Sequence, residues 1–319
     1  GIFALCFNVC YNFSGAVTWG NGSTGVSGVI SSSNSLIGST SEDWVGFRVT
    51  ALSNGNYVVS SPSWHNGSAA YAGAVTWGSG STGINGVVSS SNSLVGSTSG
   101  DFVGDVTALN RGNYVVSNPG WDNGSIPDVG AVTWGNGDTG ISGKASSSNS
   151  LVGSTSGDQV GGVTALNTGN YLVYSPMWDN GSTIDVGAVT WVNGATEASG
   201  VVSSSNSLIG STNGDQVGSV TALSNGNYVF ISPGWDNGSA TDAGAATWGN
   251  GTTGVKGILT INNSVLGAVA NGSSSMNFRY DATFNRLIVG RPAENIVTVF
   301  DVSGEPIGNE RVYLPAISR

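Results

Sequence analysis

Three copies of a Trp-Asp-Asn corner carry the side chains best suited to bind a ligand in this sequence. Each copy places an indole, a carboxylate and an amide next to one another, which offers a sugar ring a stacking face and hydrogen-bonding groups. Repeated weak sites on one chain add up to useful avidity. The simpler interpretation is that the indoles pack in the core and the acids accept backbone N–H groups within their own turns. The corners are Trp121, Asp122, Asn123, Trp178, Asp179, Asn180, Trp235, Asp236 and Asn237.

Groups for acid–base or nucleophilic catalysis are sparse. The one histidine, His65, stands where other copies of the corner carry Asp, which is typical of a turn residue. With one histidine, and cysteines only at positions 6 and 10, the sequence supports neither a Ser-His-Asp nor a Cys-His arrangement. We therefore predict that the chain is not an enzyme and has no cofactor or metal site. The acids weighed for such roles are Glu42, Asp43, Asp105 and Glu197, which break the repeat, and Asp101, Asp158 and Asp215, which recur in Gly-Asp turns.

Cys6 and Cys10 lie four residues apart near the start of the sequence. In an extended strand their Cα atoms would be about 13 Å apart, too far for a disulfide. Two free buried thiols are the simpler interpretation. A disulfide remains open if this segment bends or if the partner is another chain.

Composition narrows the partners and the compartment. Charged residues make up 9% of the chain, and the formal net charge is −10. An acidic chain is a poor partner for nucleic acid or anionic membranes. The longest apolar run, residues 2–7, is too short to insert into a bilayer. Abundant Ser, Thr, Asn and Gly with few charges suits an extracellular or cell-surface protein.

Tandem repetition at a period of about 57 residues is the strongest signal in the sequence. A Gly-Ala-Val-Thr-Trp segment recurs in five copies with intervals of 58, 57, 57 and 57 residues, the last copy having Ala for Val. A second series, Asn-Tyr-(Val/Leu), precedes Pro-x-Trp in four copies. Such a period predicts a stack of similar supersecondary units. The two tryptophan series are Trp19, Trp77, Trp134, Trp191, Trp248 and Trp64, Trp121, Trp178, Trp235.

Each unit reads as four short strands with tight turns, which predicts an all-β fold. In the second unit we predict strands at Val49–Leu52, Tyr57–Ser61 and Gly73–Gly78, with residues 87–88 and 94–95 leading into the fourth. The pair Asn54-Gly55 favours a hairpin turn. Four strands per unit of this length are typical of a β-propeller blade. A β-solenoid is the alternative.

The repeat count predicts one domain over residues 1–319 with six blades, five or seven remaining open. Residues 1–48 form an atypical N-terminal partial blade, and residues 49–276 form four regular repeats. Residues 277–319 form a degenerate C-terminal blade with a closing strand. The ring then closes if strands from the two ends of the chain share one blade; otherwise their free edges can pair with another molecule.

The unit resembles the FG-GAP repeat of integrin α-subunit propellers and bacterial surface proteins. Gly157-Asp158-Gln159-Val160-Gly161 and its copies at 100–104 and 214–218 resemble the first element of that repeat, and Ser60-Ser61-Pro62 stands where it has Gly-Ala-Pro. The resemblance implies a propeller with calcium loops between the first two strands. Residues 53–56 and their copies carry neutral amides there instead, so we expect calcium binding to be lost.

These observations lead to three functional expectations. The first is a non-enzymatic extracellular repeat protein for adhesion, surface coating or self-assembly, in which terminal strands join copies of the chain into an oligomer or filament. The alternative is a lectin-like propeller that binds cell-surface glycans through the Trp-Asp-Asn corners. The third is an enzyme with a site in the central channel, which requires acids that break the repeat to cluster at one mouth.

Overall fold

The computed structural model describes residues 2–5, 13–301 and 310–313. Cys6 and Cys10 lie outside the described residues, so the state of the two thiols stays a prediction. β-strands are the main regular structure of the described chain, and its helical parts are two short 3-10 helices, Gly272–Ser275 and Pro292–Glu294. Among the described residues, no helix is both long enough and apolar enough to cross a membrane.

One regular repeat illustrates how the sequence makes a sheet. Strands β4 (Arg48–Ala51), β5 (Tyr57–Ser61), β6 (Ala74–Gly78) and β8 (Ser93–Val95) pair antiparallel in that order. β5 has the predicted bounds, β4 begins and ends one residue earlier than predicted, and β6 begins one residue later than predicted. β5 is buried at every position, because apolar residues cover both of its faces. These four strands pair with one another as an antiparallel sheet, which disagrees with the solenoid alternative, in which each strand pairs with the next coil.

A two-residue strand in each of the second to fifth repeats pairs outside its own sheet. β7 (Gly86–Val87) pairs parallel with β3 (Ser35–Ile37) of the preceding repeat. The prediction that residues 87–88 lead into the fourth strand was therefore wrong. The physical reason is burial: Val88 donates its backbone N–H to the carbonyl of Ile37 at 3.0 Å and is almost inaccessible to solvent.

Clustering of contacts divides the chain into two compact units. Unit 1 comprises Gly1–Ala165 and Asn193–Val201, and unit 2 comprises Leu166–Val192 and Val202–Arg319. The other strands of unit 1 are β1 (Ile2–Leu5), β2 (Ala16–Gly20), β9 (Asp105–Ala108), β10 (Tyr114–Asn118), β11 (Ala131–Gly135), β12 (Gly143–Lys144), β13 (Ser150–Val152), β14 (Gly162–Ala165) and β17 (Gly200–Val201). Unit 1 contains sheets with the strand orders β1-β2-β3-β7, β12-β8-β6-β5-β4 and β17-β13-β11-β10-β9.

Unit 2 has the same kind of sheets. Its strands are β15 (Tyr171–Ser175), β16 (Ala188–Val192), β18 (Ser207–Ile209), β19 (Ser219–Ala222), β20 (Tyr228–Ser232), β21 (Ala245–Gly249), β22 (Gly257–Ile258), β23 (Ser264–Leu266), β24 (Asn277–Asp281), β25 (Arg286–Arg291), β26 (Ile296–Asp301) and β27 (Glu310–Tyr313). Within unit 2 the strands pair in the orders β15-β16-β18-β22, β19-β20-β21-β23 and β24-β25-β26-β27. The chain is thus an all-β repeat protein of small sheets, the kind of sheet from which propellers are built.

The first and last sheets differ from the regular ones. In the first, β1 pairs with β2 in the place that β5 has beside β6. The last is an antiparallel sheet in which β24, β25, β26 and β27 pair in that order. The described strands at the two ends of the chain therefore lie in separate sheets. They do not form the single shared blade through which the ring could close.

Two side-chain hydrogen bonds to one backbone carbonyl connect successive repeats. The carbonyl oxygen of Gly137 accepts a hydrogen bond from the indole N–H of Trp77 at 2.9 Å and from the side-chain amide of Asn56 at 2.8 Å, both in the preceding repeat. Asn113 and Trp134 hold Gly194 in the same way, at 2.9 and 3.0 Å. The loops that stand where FG-GAP repeats have calcium loops therefore supply side-chain amides, which donate hydrogen bonds to the next repeat.

Candidate ligand-binding surface

The Trp-Asp-Asn corners bury their indoles. Trp121, Trp178 and Trp235 are 3%, 3% and 6% exposed, so a sugar ring has no indole face to stack on. Trp121 and Trp235 belong to apolar core clusters. The stacking role predicted for these tryptophans is thus incompatible with their position, because the same apolar area is already covered by neighbouring strands.

The aspartates of the corners act as turn caps. The carboxylate of Asp122 accepts the backbone N–H of Asp128 at 2.9 Å, and Asp179 and Asp236 accept the equivalent N–H groups of Asp185 and Asp242 at 2.8 Å. The next residue in each corner, Asn123, Asn180 or Asn237, is exposed. The structure therefore brings the three residue types together as a folded turn in which the indole is buried, the aspartate is half-buried and the asparagine is exposed.

Two loops of each repeat lie side by side and present one side chain each to solvent. In the second repeat, Phe102 donates its backbone N–H to the carbonyl of Tyr71 at 3.0 Å, and Val103 donates to Ala72 at 3.0 Å. Val103 is fully buried and anchors the pair of loops. A Cβ on Gly73 would come within 2.2 Å of the Val103 nitrogen, so only glycine allows this approach. The loops therefore hold positions 71 and 102 next to each other.

Both of these positions have a left-handed backbone in every repeat where they are described, with one exception. The exception is Ser273, which stands at the position of Phe102 in the fifth repeat. The φ angles are +51° for Phe13, +47° for Trp44, +55° for Tyr71 and +49° for Phe102. A left-handed conformation costs a non-glycine residue about 1–2 kcal/mol and is unusual for bulky side chains. Such strain concentrates at functional sites. The equivalent residues in later repeats are Asp128, Gln159, Asp185, Gln216 and Asp242.

The first two repeats carry aromatic side chains at these positions, and we call Phe13, Trp44, Tyr71 and Phe102 the aromatic surface. The rings of Phe13 and Trp44 stack with centroids 5.3 Å apart and planes 8° from parallel. Those of Tyr71 and Phe102 stack at 5.9 Å and 18°. The four side chains are 52%, 41%, 39% and 54% exposed, respectively. Large accessible aromatic groups in an ordered, strained setting mark an interaction site rather than a core.

An Asp–His pair lies beside the aromatic surface. The fully buried carboxylate of Asp43 is 3.1 Å from Nδ1 of His65 and accepts the backbone N–H of His65 at 3.0 Å. The imidazole in turn lies 5.2 Å from the ring of Tyr71, whose hydroxyl donates to Glu42 at 3.4 Å. His65 thus replaces the capping Asp of later repeats where the neighbouring side chain is aromatic.

The sequence contained a signal for this surface that the repeat-based reasoning did not use. Trp44 is the one tryptophan outside the two periodic series, and Phe102 stands where the next copies have Gln159 and Gln216. The recurring acids are buried instead: Asp101, Asp158 and Asp215 are at most 1% exposed. Among the residues that the structure describes, no three His, Cys, Asp or Glu side chains come together as metal ligands would.

The comparisons with known proteins show the family. The model of a repeat of unknown function, DUF5650, matches residues 9–47, 51–105, 108–162, 165–219 and 222–275. These segments cover most of the chain, so the protein belongs to the family defined by this repeat. A comparison with curated proteins found no match.

Solved structures with a remote likeness include two lyases. Virginiamycin B lyase from Staphylococcus aureus is 9% identical with a TM-score of 0.36, over 84% of this chain and 70% of the lyase. A streptogramin B lyase structure is 10% identical with a TM-score of 0.35, over 84% and 68%. A functionally unknown protein from Desulfotomaculum acetoxidans is 12% identical with a TM-score of 0.34, over 82% and 70%.

These comparisons correct one prediction. The sequence led us to predict that the chain is not an enzyme, and the presence of two lyases among the similar structures contradicts that prediction. Likeness at this level assigns no reaction to the present chain.

Proposed function

We propose that this protein binds a neutral polysaccharide through the aromatic surface. The observation that carries the proposal is the pair of exposed ring stacks, Phe13 with Trp44 and Tyr71 with Phe102, held on left-handed backbone. A pyranose ring has a flat face of C–H groups, and an aromatic face removes that apolar area from water. The proposal retains the glycan-binding alternative that the sequence suggested. It places the binding site at the loops of the aromatic surface instead of at the Trp-Asp-Asn corners.

The surroundings of the rings favour a neutral glycan as the occupant. The loops are rich in hydroxyl groups, and the Ser99 hydroxyl accepts the backbone N–H of Ala70 at 3.1 Å beside Tyr71. The charged side chain in contact with a ring hydroxyl is the carboxylate of Glu42, which accepts hydrogen bonds and repels anions. A chain with a formal net charge of −10 also disfavours an acidic polymer at this surface.

We propose that this binding serves adhesion or coating at the cell surface or outside the cell, where polysaccharides are exposed. Two ring pairs on one chain engage neighbouring sugars of a polymer, which raises avidity over that of one pair. Assembly of copies through terminal strands stays a prediction.

For the architecture, we propose blades of an FG-GAP-type propeller, six in number and four-stranded. The support is the presence of six sheets among the described residues, each with a four-stranded antiparallel or mixed core. The neutral loops at residues 53–56 distinguish these units from calcium-binding FG-GAP repeats.

The test uses residues that the chain itself places at equivalent positions. Trp44→Gln combined with Phe102→Gln installs the side chain found at Gln159 and Gln216, where the backbone is also left-handed. The control is Phe284→Gln, which removes an aromatic side chain of 63% exposure outside the aromatic surface. Binding is measured by affinity electrophoresis and calorimetry on a panel of neutral glucans, mannans, xylans and chitin fragments.

We expect the double variant to lose at least about tenfold in affinity, since each ring contributes on the order of 1 kcal/mol. Its melting temperature should stay near that of the native protein, and Phe284→Gln should bind normally. The proposal fails if native protein binds none of the panel or if the double variant binds as well as the native protein.

A further inference from the structure

A groove in unit 2 combines an indole with the one lysine of its repeat. Its volume is about 370 Å³, and its lining includes Trp191, Ser205, Thr253 and Lys256. Trp191 is held in place because its indole N–H donates to the carbonyl of Gly251 at 3.0 Å. No residue of the groove belongs to the aromatic surface, so the two features are independent.

Lys256 breaks the repeat at this groove. The equivalent positions in the other repeats carry Ser27, Asn85, Ser142 and Ser199, all uncharged. Within the part of the chain that the structure describes, the ion pairs involve Arg48, His65 and Arg291, and Lys256 joins none of them. A residue that recurs in every repeat usually serves packing or turning, whereas one that breaks the repeat is a better candidate for chemistry. The ammonium group of Lys256 is therefore a candidate for ligand recognition.

The other walls of the groove suit a sugar. Trp191 is half-buried, so part of its ring stays accessible while the rest packs under Gly254, where a Cβ would come within 2.5 Å of the Trp191 Cβ. The hydroxyl of Ser205 is held by that of Ser203 at 2.8 Å and retains hydrogen-bonding capacity, and the side chain of Thr253 is exposed.

We propose that this groove binds the carboxylate of an acidic sugar, a uronic acid residue, with its ring against Trp191. Lys256 pairs with the carboxylate, and the hydroxyls of Ser205 and Thr253 hydrogen-bond the ring hydroxyls. A charge-assisted hydrogen bond gives the acid its advantage over the neutral sugar. The groove requires both a sugar ring, which packs against Trp191, and a carboxylate, which pairs with Lys256. It should therefore prefer a uronic acid to a simple anion or a neutral sugar.

The test follows the indole N–H resonances of the full-length protein by NMR during titration with D-glucuronate, D-glucose and acetate. Trp191→Phe assigns the resonance of interest by its disappearance. Lys256→Ser installs the residue of the preceding repeat, and Lys144→Ser removes an exposed lysine from a different repeat as the matched control.

We expect saturable shifts of the Trp191 resonance with glucuronate, and weaker affinity by about tenfold for glucose, for acetate and for Lys256→Ser with glucuronate. Raising the salt from 20 to 300 mM should weaken glucuronate binding, since an exposed charge pair is screened. Lys144→Ser and the aromatic-surface variant Trp44→Gln should bind glucuronate normally. Equal shifts with glucose and glucuronate, the absence of saturation, or unchanged binding by Lys256→Ser would each overturn the proposal.

Discussion

The ring of Tyr57 lies directly against the backbone of Gly78, the residue opposite it on the neighbouring strand. A Cβ at Gly78 would come within 2.3 Å of the Tyr57 Cζ, and the ring is held there by the backbone N–H of Ile84, which donates to the hydroxyl at 3.2 Å. The same contact recurs in the third and fifth repeats, where a Cβ at Gly135 or Gly249 would come within 2.2 Å or 2.0 Å of the tyrosine ring opposite. In these repeats the tyrosine ring therefore occupies the space that a side chain on the opposite strand would need.

Replacing Gly78 with Ala should destabilise the protein by about 2–3 kcal/mol, because a buried ring and two strands would have to shift to admit one methyl group. Gly22→Ala is the control, since nothing lies within 4 Å of a Cβ at that position. Urea unfolding followed by circular dichroism measures both. Equal stability of the two variants would show that the contact is loose.

Stability should fall steeply above pH 10, the ordinary phenol pKa. Burial raises the pKa of the Tyr57, Tyr114, Tyr171 and Tyr228 hydroxyls above that value. Above pH 10 the unfolded chain therefore loses phenol protons that the folded chain keeps, and each such tyrosine removes up to about 1.4 kcal/mol per pH unit. The measurement is urea unfolding between pH 8 and pH 12. Tyr114→Phe should make the slope shallower, and a flat profile would contradict the expectation.

Replacing the buried carboxylate of Asp101 with an amide should destabilise the protein. Its Oδ2 accepts the backbone N–H groups of Ser97 at 2.7 Å and Thr98 at 2.9 Å, and its Oδ1 accepts that of Asp122 at 3.1 Å. Asp101→Asn would turn an NH₂ group toward backbone donors, and we expect a loss of about 3 kcal/mol. Asp122→Asn, at a half-buried cap, should lose about 1 kcal/mol. Thermal melts of both variants decide whether burial accounts for the difference.

A buried ion pair should hold the last sheet to the fifth repeat. Arg291 donates to Glu294 at 2.6 Å and to the carbonyl of Leu266 at 2.8 Å, and it is 7% exposed. Arg291→Met leaves Glu294 as an unpaired buried charge and should destabilise the protein by about 3–5 kcal/mol. The double variant Arg291→Met with Glu294→Leu should recover much of that loss. If the double variant is no more stable than the single one, the two side chains stabilise the protein through their packing and not through the pairing of their charges.

Grafting a third ring pair should strengthen polysaccharide binding. Asp128→Tyr with Gln159→Phe places rings at positions whose backbone is already left-handed, with φ of +52° and +46°. If the proposed function holds, affinity for the neutral polymer bound by the native protein should rise severalfold through avidity. The matched control is leucine at both positions, which adds apolar area without aromatic faces. Equal gains from leucine would indicate non-specific adhesion instead.

The sequence by itself determined the repeat period, the all-β class and most strand positions. The prediction of Tyr57–Ser61 was confirmed to the residue, because periodic apolar side chains and Asn-Gly turns act locally and recur in every copy. Local patterning also suggested that the acids of the corners cap turns, as Asp122 does.

Only the tertiary structure decided which aromatic side chains are accessible. Trp121 and Trp44 have the same indole, yet the first is 3% exposed and the second 41%, because neighbouring strands cover one and a strained loop presents the other. The pairing of residues 13 and 44, or of residues 86–87 with the preceding sheet, depends on contacts between distant segments. The first pairing forms only when two loops of one repeat fold against each other, and the second only when a repeat packs against the preceding one, so no local run of residues specifies either contact.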